Sequence, residues 1–122
     1  GEGFRLACCA ADRAMVVSTT DASALRDAQR TVSVLRNRIP RIHLVVNRVQ
    51  PRLLRRLHTT IDDAMDAAGL PLLGIVPEDP QVMLCANQGQ PLILRASRGA
   101  AVAYLNIAKR LLGQKAPLMK MR

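Results

Sequence analysis

The chain has 122 residues, of which 49% are hydrophobic and 22% are charged, and these values are typical of one small soluble globular domain. Its 18 basic and nine acidic residues give a net charge of +9, so a partner that carries phosphates has to be considered. No apolar run approaches the roughly 20 residues that a membrane-spanning helix needs, and the amino-terminal residues lack the pattern of a signal peptide, so we expect a cytosolic chain.

The first half of the chain predicts a strand, a helix and a second strand. Residues 14–18 form a continuous apolar run that suits a strand buried on both faces. Asp21 can cap a helix whose apolar residues recur at helical spacing as far as Arg36, and residues 42–46 form the next β-branched run. Two strands joined by a helix make a βαβ unit, so we expect them in a parallel sheet.

The next segment predicts a loop followed by a helix. We expect residues 48–58 to be an irregular basic connection, because arginines precede aspartates there, which is the unfavourable order for the dipole of one helix over 51–68. Thr59 or Thr60 then caps a helix, since an aspartate stands three residues after each of them, and Gly69 ends it.

The last third predicts one more strand and two helices, joined by an extended piece. The predicted elements are a strand over 70–76, a short helix capped by Asp79 and ended by Gly89, an extended piece over 91–94, and a helix capped by Ser97 and ended by Gly113. The expected buried stripe of the last helix is Ala101, Tyr104, Leu105, Ala108, Leu111 and Leu112. The whole pattern predicts an α/β fold in which helices cover a parallel sheet.

The basic residues concentrate in residues 36–56 and 109–122, with no aromatic residues interleaved for base stacking. We therefore favour a solvated face over a specific nucleic-acid site. The three cysteines and two histidines show no metal-ligand spacing, so we predict reduced thiols and no metal site.

Polar residues follow each predicted strand, at Thr19–Asp21, Asn47–Arg48 and Pro77–Asp79. Ligands of parallel α/β sheets bind beyond the carboxyl ends of the strands, where these loops converge if the strands are neighbours. The carboxamide of Asn47 matches the N6 and N7 edge of adenine, and a proline-fixed loop gives a rigid wall for the base. A structural role is equally consistent with the same residues, since an asparagine can turn the chain and Asp79 can cap a helix.

Four stretches, residues 18–30, 44–52, 69–93 and 106–113, resemble the C-terminal half of the MinD-type septum-site-determining ATPases of the ParA/MinD deviant-Walker P-loop family. The stretch GLPLLGIVPEDPQVMLCANQGQPLI is the most specific of them. The resemblance implies a three-layer P-loop NTPase-like parallel sheet with flanking helices. Residues 1–122 would be the C-terminal portion of its nucleotide-binding domain, without the phosphate-binding half.

The resemblance also implies a function and its residues. It implies an ATPase that holds ATP and Mg between the subunits of a homodimer, works with other Min-type proteins and controls where the division septum forms. Asn47, with Arg48 beside it, and the loop of Pro77, Glu78 and Asp79 match the family's adenine site. Ser23, Arg26 and Asp27 match the helix start near the dimer and partner surface. This sequence departs from the family at Asp21-Ala22, where Pro-Glu is usual, which puts a partner contact there in doubt.

The sequence contains no Gly-rich loop with Lys and Ser or Thr to hold phosphates, so we expect no catalytic residue in this chain. Alone it is expected to bind no cofactor and to be inactive. The resemblance implies a cytoplasmic protein that associates reversibly with the membrane through a C-terminal amphipathic helix, which we expect to lie beyond this sequence. Two alternatives remain: a ParA-like ATPase for chromosome or plasmid partitioning, and a non-catalytic basic module that binds nucleic acid.

Overall fold

A computed structural model describes residues 1–120 and contains one parallel sheet of three strands. The strands are β1 (Arg13–Ser18), β2 (Arg41–Val49) and β3 (Leu72–Pro77), in the order β1-β2-β3. The helices are α1 (Glu2–Ala10), α2 (Ala22–Leu35), α3 (Pro51–Arg56), α4 (Ile61–Ala68), α5 (Pro80–Asn87), α6 (Leu92–Arg95) and α7 (Ala100–Leu111). Met121 and Arg122, which belong to the basic segment 109–122, lie outside the described residues.

Helices cover both faces of the sheet. Leu44 and Val46 of β2 are fully buried in a cluster with apolar residues of α1, α2, α3 and α4. Val45, between them, belongs to a second cluster with Ala100 and Ile107 of α7 on the opposite face. This alternation follows from the period of two in a strand, which sends neighbouring side chains to opposite faces. The predicted three-layer α/β architecture is confirmed.

Side chains cap α2 and α4 as the sequence indicates. Asp21 accepts a hydrogen bond from the backbone N–H of Ala24 at 3.0 Å and begins α2. Thr60 and Asp63 form a reciprocal capping box at the start of α4, and Gly69 ends α4 in the left-handed region with a φ of 69°. These caps act within a few residues, which is why local sequence predicts them.

The segment predicted as an irregular connection over 48–58 contains helix α3, so that prediction was wrong for residues 51–56. Pro51 occupies the first turn, where its missing N–H costs nothing, and Leu54 is buried. Because the helix ends at Arg56, Arg55 and Arg56 fall in its last turn. Cations are favourable there, so the dipole argument against one long helix does not apply to this short one.

Two predictions near the C-terminus were also wrong. Residues 92–95 form the helical turn α6 instead of an extended piece, and its first residue, Leu92, packs on the α7 cluster. Ser97 caps nothing, because α7 begins at Ala100 after Gly99, whose φ is 62°. The N–H of Ala100 is bonded by a side chain from a distant part of the chain, which local sequence cannot reveal.

The buried face of α7 also differs from the predicted stripe. Ala101 is buried and Leu111 is partly buried, as predicted, but Tyr104, Leu105, Ala108 and Leu112 are exposed. The face that packs on the sheet is instead formed by Ala100, Ala103, Ile107 and Leu111. The predicted stripe was wrong because the helix is apolar on more than one side, so periodicity alone did not fix its orientation.

Strand β1 lies at the edge of the described sheet. Within residues 1–120 it pairs with β2 alone, so its other edge is open. Val16 and Ser18 are buried, whereas Met15 and Val17 are 49% and 59% exposed on the opposite face. The described residues therefore leave one side of β1 uncovered.

Candidate functional site

Strand β2 carries a bulge near its carboxyl end. Between its last two paired positions β2 has two residues, Asn47 and Arg48, whereas β3 has one, Val76. Arg48 accommodates the bulge by adopting the left-handed region, with a φ of 54°. The predicted strand over 42–46 is therefore too short, because pairing resumes beyond the bulge. Bulges re-aim side chains, and this one is placed at the edge where the predicted loops converge.

Asn47 and the Pro77–Asp79 loop line one cavity of about 640 Å³. This volume lies within the usual range of about 300–1,000 Å³ for small-molecule sites. Helices α5 and α7 complete the walls with Val82, Met83, Leu84, Ala86, Asn87 and Tyr104. The cavity thus combines one half-buried carboxamide with a mainly apolar wall, which is the usual composition of small-molecule sites.

Arg48 and Glu78, both predicted in the base site, are paired with each other. The Nε of Arg48 donates to an Oε of Glu78 at 2.9 Å, and the Glu78 backbone N–H donates to the Val49 carbonyl at 3.0 Å. Their side chains are 67% and 38% exposed, so the pair contributes little stability. It joins β2 to the loop at the rim of the cavity.

Asp79 begins two helices at once. One of its carboxylate oxygens accepts from the N–H of Gln81 in α5, and the other accepts from the N–H of Ala100 in α7, each at 3.0 Å. A Cβ on Gly99 would lie 2.5 Å from that second oxygen, so the glycine leaves room for the contact. The predicted cap of α5 is confirmed. Both carboxylate oxygens are engaged in helix caps, so Asp79 positions the loop.

The predicted partner residues Ser23, Arg26 and Asp27 lie exposed on the first turns of α2. Only Asp27 joins Asn47 in lining a second cavity, of about 650 Å³, between α1, β1 and α2. Asp27 also pairs with Arg30 at 3.3 Å on the open surface. The structure therefore brings Asp27 into a cavity that Asn47 also lines and leaves the other two outside it.

The loop before α2 is ordered by its own side chains. The Thr19 hydroxyl donates to the carboxylate of Asp21, and the Ala24 N–H donates to the same group. These hydrogen bonds, the one from Thr19 above all, lower the pKa of Asp21 from its ordinary value. Asp21 therefore acts as the cap of α2.

Sequence analysis missed the residues of α5 and α7 that line the Asn47 cavity. Tyr104 was assigned to a buried stripe, yet it is 42% exposed and lines this cavity, and Met83 beside it is 70% exposed. Tyr104 is the only tyrosine of the chain. The presence of a lone aromatic in a helix of alanines and leucines was the sequence signal that could have pointed to this position.

The described residues contain neither a metal-ligand cluster nor a membrane-spanning helix. Within residues 1–120, no group of three or more His, Cys, Asp or Glu side chains is arranged to hold a metal ion. Over the same residues, no helix combines the length and the apolar content needed to cross a bilayer.

Comparison with known proteins gives a consistent set of relatives. No protein-family profile matches the chain. The chain is 38% identical over 120 residues to the septum site-determining protein MinD of Bacillus subtilis, and 36% identical to that of Synechocystis sp.. Each alignment covers 96% of this chain and 45% of the relative. The chain therefore spans about half the length of these curated relatives.

Solved structures give the same result for the fold. MinD of Aquifex aeolicus superposes with a TM-score of 0.91 at 30% identity, over 98% of this chain and 52% of that one. The same species' MinC:MinD complex gives 0.90 at 30% identity, over 98% of this chain and 50% of that one. The MinD of Pyrococcus horikoshii, solved with Mg-ADP, gives 0.71 at 23% identity over 82% and 41%, which supports the fold alone.

Proposed function

This chain is the C-terminal portion of a MinD-type protein, and from that premise we propose that it supplies the adenine-binding wall of an ATPase that regulates where the division septum forms. One observation carries the proposal. The carboxamide of Asn47 and the rigid loop Pro77–Asp79 line the same mainly apolar cavity at the carboxyl edge of the sheet. This edge is where nucleotides bind in parallel α/β folds.

The proposed contacts follow from the chemistry of the base. The amide N–H of Asn47 would donate to N7 of adenine, and its carbonyl would accept from the N6 amino group. The apolar residues of α5 and the ring of Tyr104 offer surfaces for the faces of the base. The Arg48–Glu78 pair holds the loop against β2 at the rim.

The phosphates need other residues. None of the 122 residues forms a Gly-rich loop with Lys and Ser or Thr, so ATP and Mg²⁺ would be held and hydrolysed only by the complete protein. We expect this chain alone to bind ATP weakly and not to hydrolyse it.

The proposal also covers the partner proteins and the dimer surface of the complete protein. The complex with MinC in the Aquifex aeolicus structure supports a Min-type partner for the complete protein. Ser23, Arg26 and Asp27 are offered as its dimer or partner surface, because they are exposed beside the second cavity that Asn47 lines. A cytoplasmic protein that binds the membrane reversibly is the expected location.

Replacing Asn47 with alanine in the complete protein is expected to weaken ADP binding by roughly 5- to 150-fold, which corresponds to one bidentate base contact of about 1–3 kcal/mol. Binding would be measured by isothermal titration calorimetry. 7-Deaza-ADP, which lacks the N7 acceptor, should bind more weakly than ADP to the parent protein and equally well to Asn47→Ala.

Asn37→Ala is the matched control, because Asn37 is exposed at the opposite edge of the sheet, between α2 and β2. It should leave ADP affinity unchanged. Equal ADP affinity for Asn47→Ala and the parent protein would reject the assignment of Asn47 to the base.

A further inference from the structure

A further cavity, of about 540 Å³, lies at the amino edge of the sheet, at the opposite ends of the strands from Asn47. It is formed by the segment between α2 and β2 and by the segment between α4 and β3. Arg36, Arg41 and His43 line it, and none of its lining residues is acidic. Among the ion pairs of residues 1–120, none includes Arg36 or Arg41. The cavity is therefore cationic, and no carboxylate of its own lining neutralises it.

The guanidinium of Arg36 is held in place by the protein itself. Its Nη2 donates to the carbonyl of Gly69 at 2.7 Å, and Gly69 ends α4 in the left-handed region. A Cβ on Gly69 would lie 3.1 Å from the same Nη2, so the glycine leaves room for this contact. Within residues 1–120 the Arg36 side chain makes no other hydrogen bond, so the remaining N–H groups of its planar fork are available to a ligand. Because the group is already positioned, less conformational entropy is lost on binding.

The floor of this cavity is apolar. Ile39, Ile42 and Leu70 line it, and all three are buried in the core cluster that contains Leu44 and Val46 of β2. Pro40 and Pro71, which also line the cavity, stand directly before β2 and β3 and restrict the backbone there. The cavity thus combines cationic side chains with a rigid apolar floor. That combination suits a small molecule with an anionic end and an apolar body.

We propose that this cavity binds a phosphate monoester, a soluble small molecule that carries one phosphate on an apolar body. Arginine pairs with phosphate oxygens through parallel N–H bonds, and the imidazole of His43 can donate one more. A monoester carries about two negative charges at neutral pH, so two arginines balance it better than they balance a carboxylate. No aromatic residue lines the cavity to stack on the bases of a nucleic acid. The inference goes beyond the proposed nucleotide site, since the two cavities share no lining residue.

The test is titration of the 15N-labelled 122-residue chain, followed by two-dimensional NMR, with phenyl phosphate, inorganic phosphate and benzoate. The chain has no Gly-rich phosphate loop, so phosphate bound at a nucleotide site does not complicate the result. Phenyl phosphate should shift the amide signals of Ile42, Gly69 and Leu70 and leave that of Asn47 in place. It should bind about tenfold more tightly than inorganic phosphate, which lacks the ring, and than benzoate, which carries a single charge.

Arg36→Gln and Arg41→Gln should each weaken the binding of phenyl phosphate about tenfold, because each removes a hydrogen bond to a charged group. The affinities of the variants would be obtained from the same NMR titration. The comparison of the three ligands uses the parent chain alone, so its outcome does not depend on the folding of any variant.

Arg52→Gln/Arg56→Gln is the matched control for Arg36→Gln/Arg41→Gln, because it removes the same charge from exposed residues of α3 that do not line the cavity. It should bind phenyl phosphate nearly as the parent chain does. The proposal is overturned if both arginine pairs lose binding equally, if benzoate or inorganic phosphate binds as tightly as phenyl phosphate, or if no amide of the cavity shifts. It is also overturned if the parent chain ignores phenyl phosphate but binds duplex DNA through Arg36 and Arg41. Circular dichroism on each variant would separate loss of binding from loss of folding.

Discussion

Replacing Asp79 with alanine is expected to lower the free energy of unfolding by about 2 kcal/mol, because one carboxylate caps two helices and each cap is worth about 1 kcal/mol. The alanine would leave the N–H groups of Gln81 and Ala100 without their acceptors. Asp79→Asn should cost about half as much, since a carboxamide has a single acceptor oxygen and can serve one helix only. Urea unfolding followed by circular dichroism would measure each change.

Asp21 provides the comparison for this prediction. Its side chain caps one helix, α2, so Asp21→Ala should cost about 1 kcal/mol under the same conditions. If Asp79→Ala lowered the free energy of unfolding no more than Asp21→Ala does, the second cap, on α7, would contribute nothing to stability. The loop beside Asn47 would then owe its position to its prolines, to the cap on α5 and to the contacts of Glu78 with β2.

Replacing Gly74 with alanine is expected to destabilise the protein by about 1–3 kcal/mol through overpacking. Gly74 lies in β3 under α7, and a Cβ there would stand 2.3 Å from Cγ1 and 2.7 Å from Cδ1 of Ile107. Both residues are buried, so the isoleucine cannot move away into solvent. The same unfolding measurement applies, with the midpoint expected to fall at an unchanged dependence on urea.

A double-mutant cycle would test the cause of that loss. Ile107→Ala removes Cγ1 and Cδ1 and leaves Cβ, which stands 3.7 Å from the added methyl, an ordinary contact. Gly74→Ala should then cost much less in the Ile107→Ala background than in the parent. Gly3→Ala is the control, because a Cβ there meets nothing within 4 Å and alanine favours helix α1. A similar loss at Gly3 and Gly74 would contradict the packing argument.

Much of the fold is predictable from sequence because its determinants are local. The apolar runs give three buried strands, and Asp21, Thr60 and Gly69 mark helix ends through contacts within a few residues. The convergence of the strand-end loops follows from parallel topology, and the structure places Asn47 with Pro77–Asp79 in one cavity. The resemblance to MinD-type ATPases, drawn from short motifs, is confirmed by relatives along nearly the whole chain.

The remaining features depend on contacts between distant residues. Helix α7 starts at Ala100 because Asp79 caps it across 21 positions, so the local candidate Ser97 misled the prediction. The bulge at Asn47 and Arg48 appears only when β2 is aligned with β3. Tyr104 lines the cavity because of the orientation of α7 about its own axis on the sheet. The periodicity of a helix that is apolar on more than one side does not determine that orientation.

The open side of β1 has a thermodynamic consequence. The accessible surface of the chain is 8269 Å², whereas a compact monomer of 13.3 kDa exposes about 6,500 Å². Met15 and Val17 on that side contribute to the excess, so part of the apolar surface that folding usually removes from water stays hydrated in the native state. Since the heat capacity of unfolding grows with the apolar surface newly exposed, this chain has a smaller heat-capacity change than its length would give. Its curve of stability against temperature is correspondingly shallow.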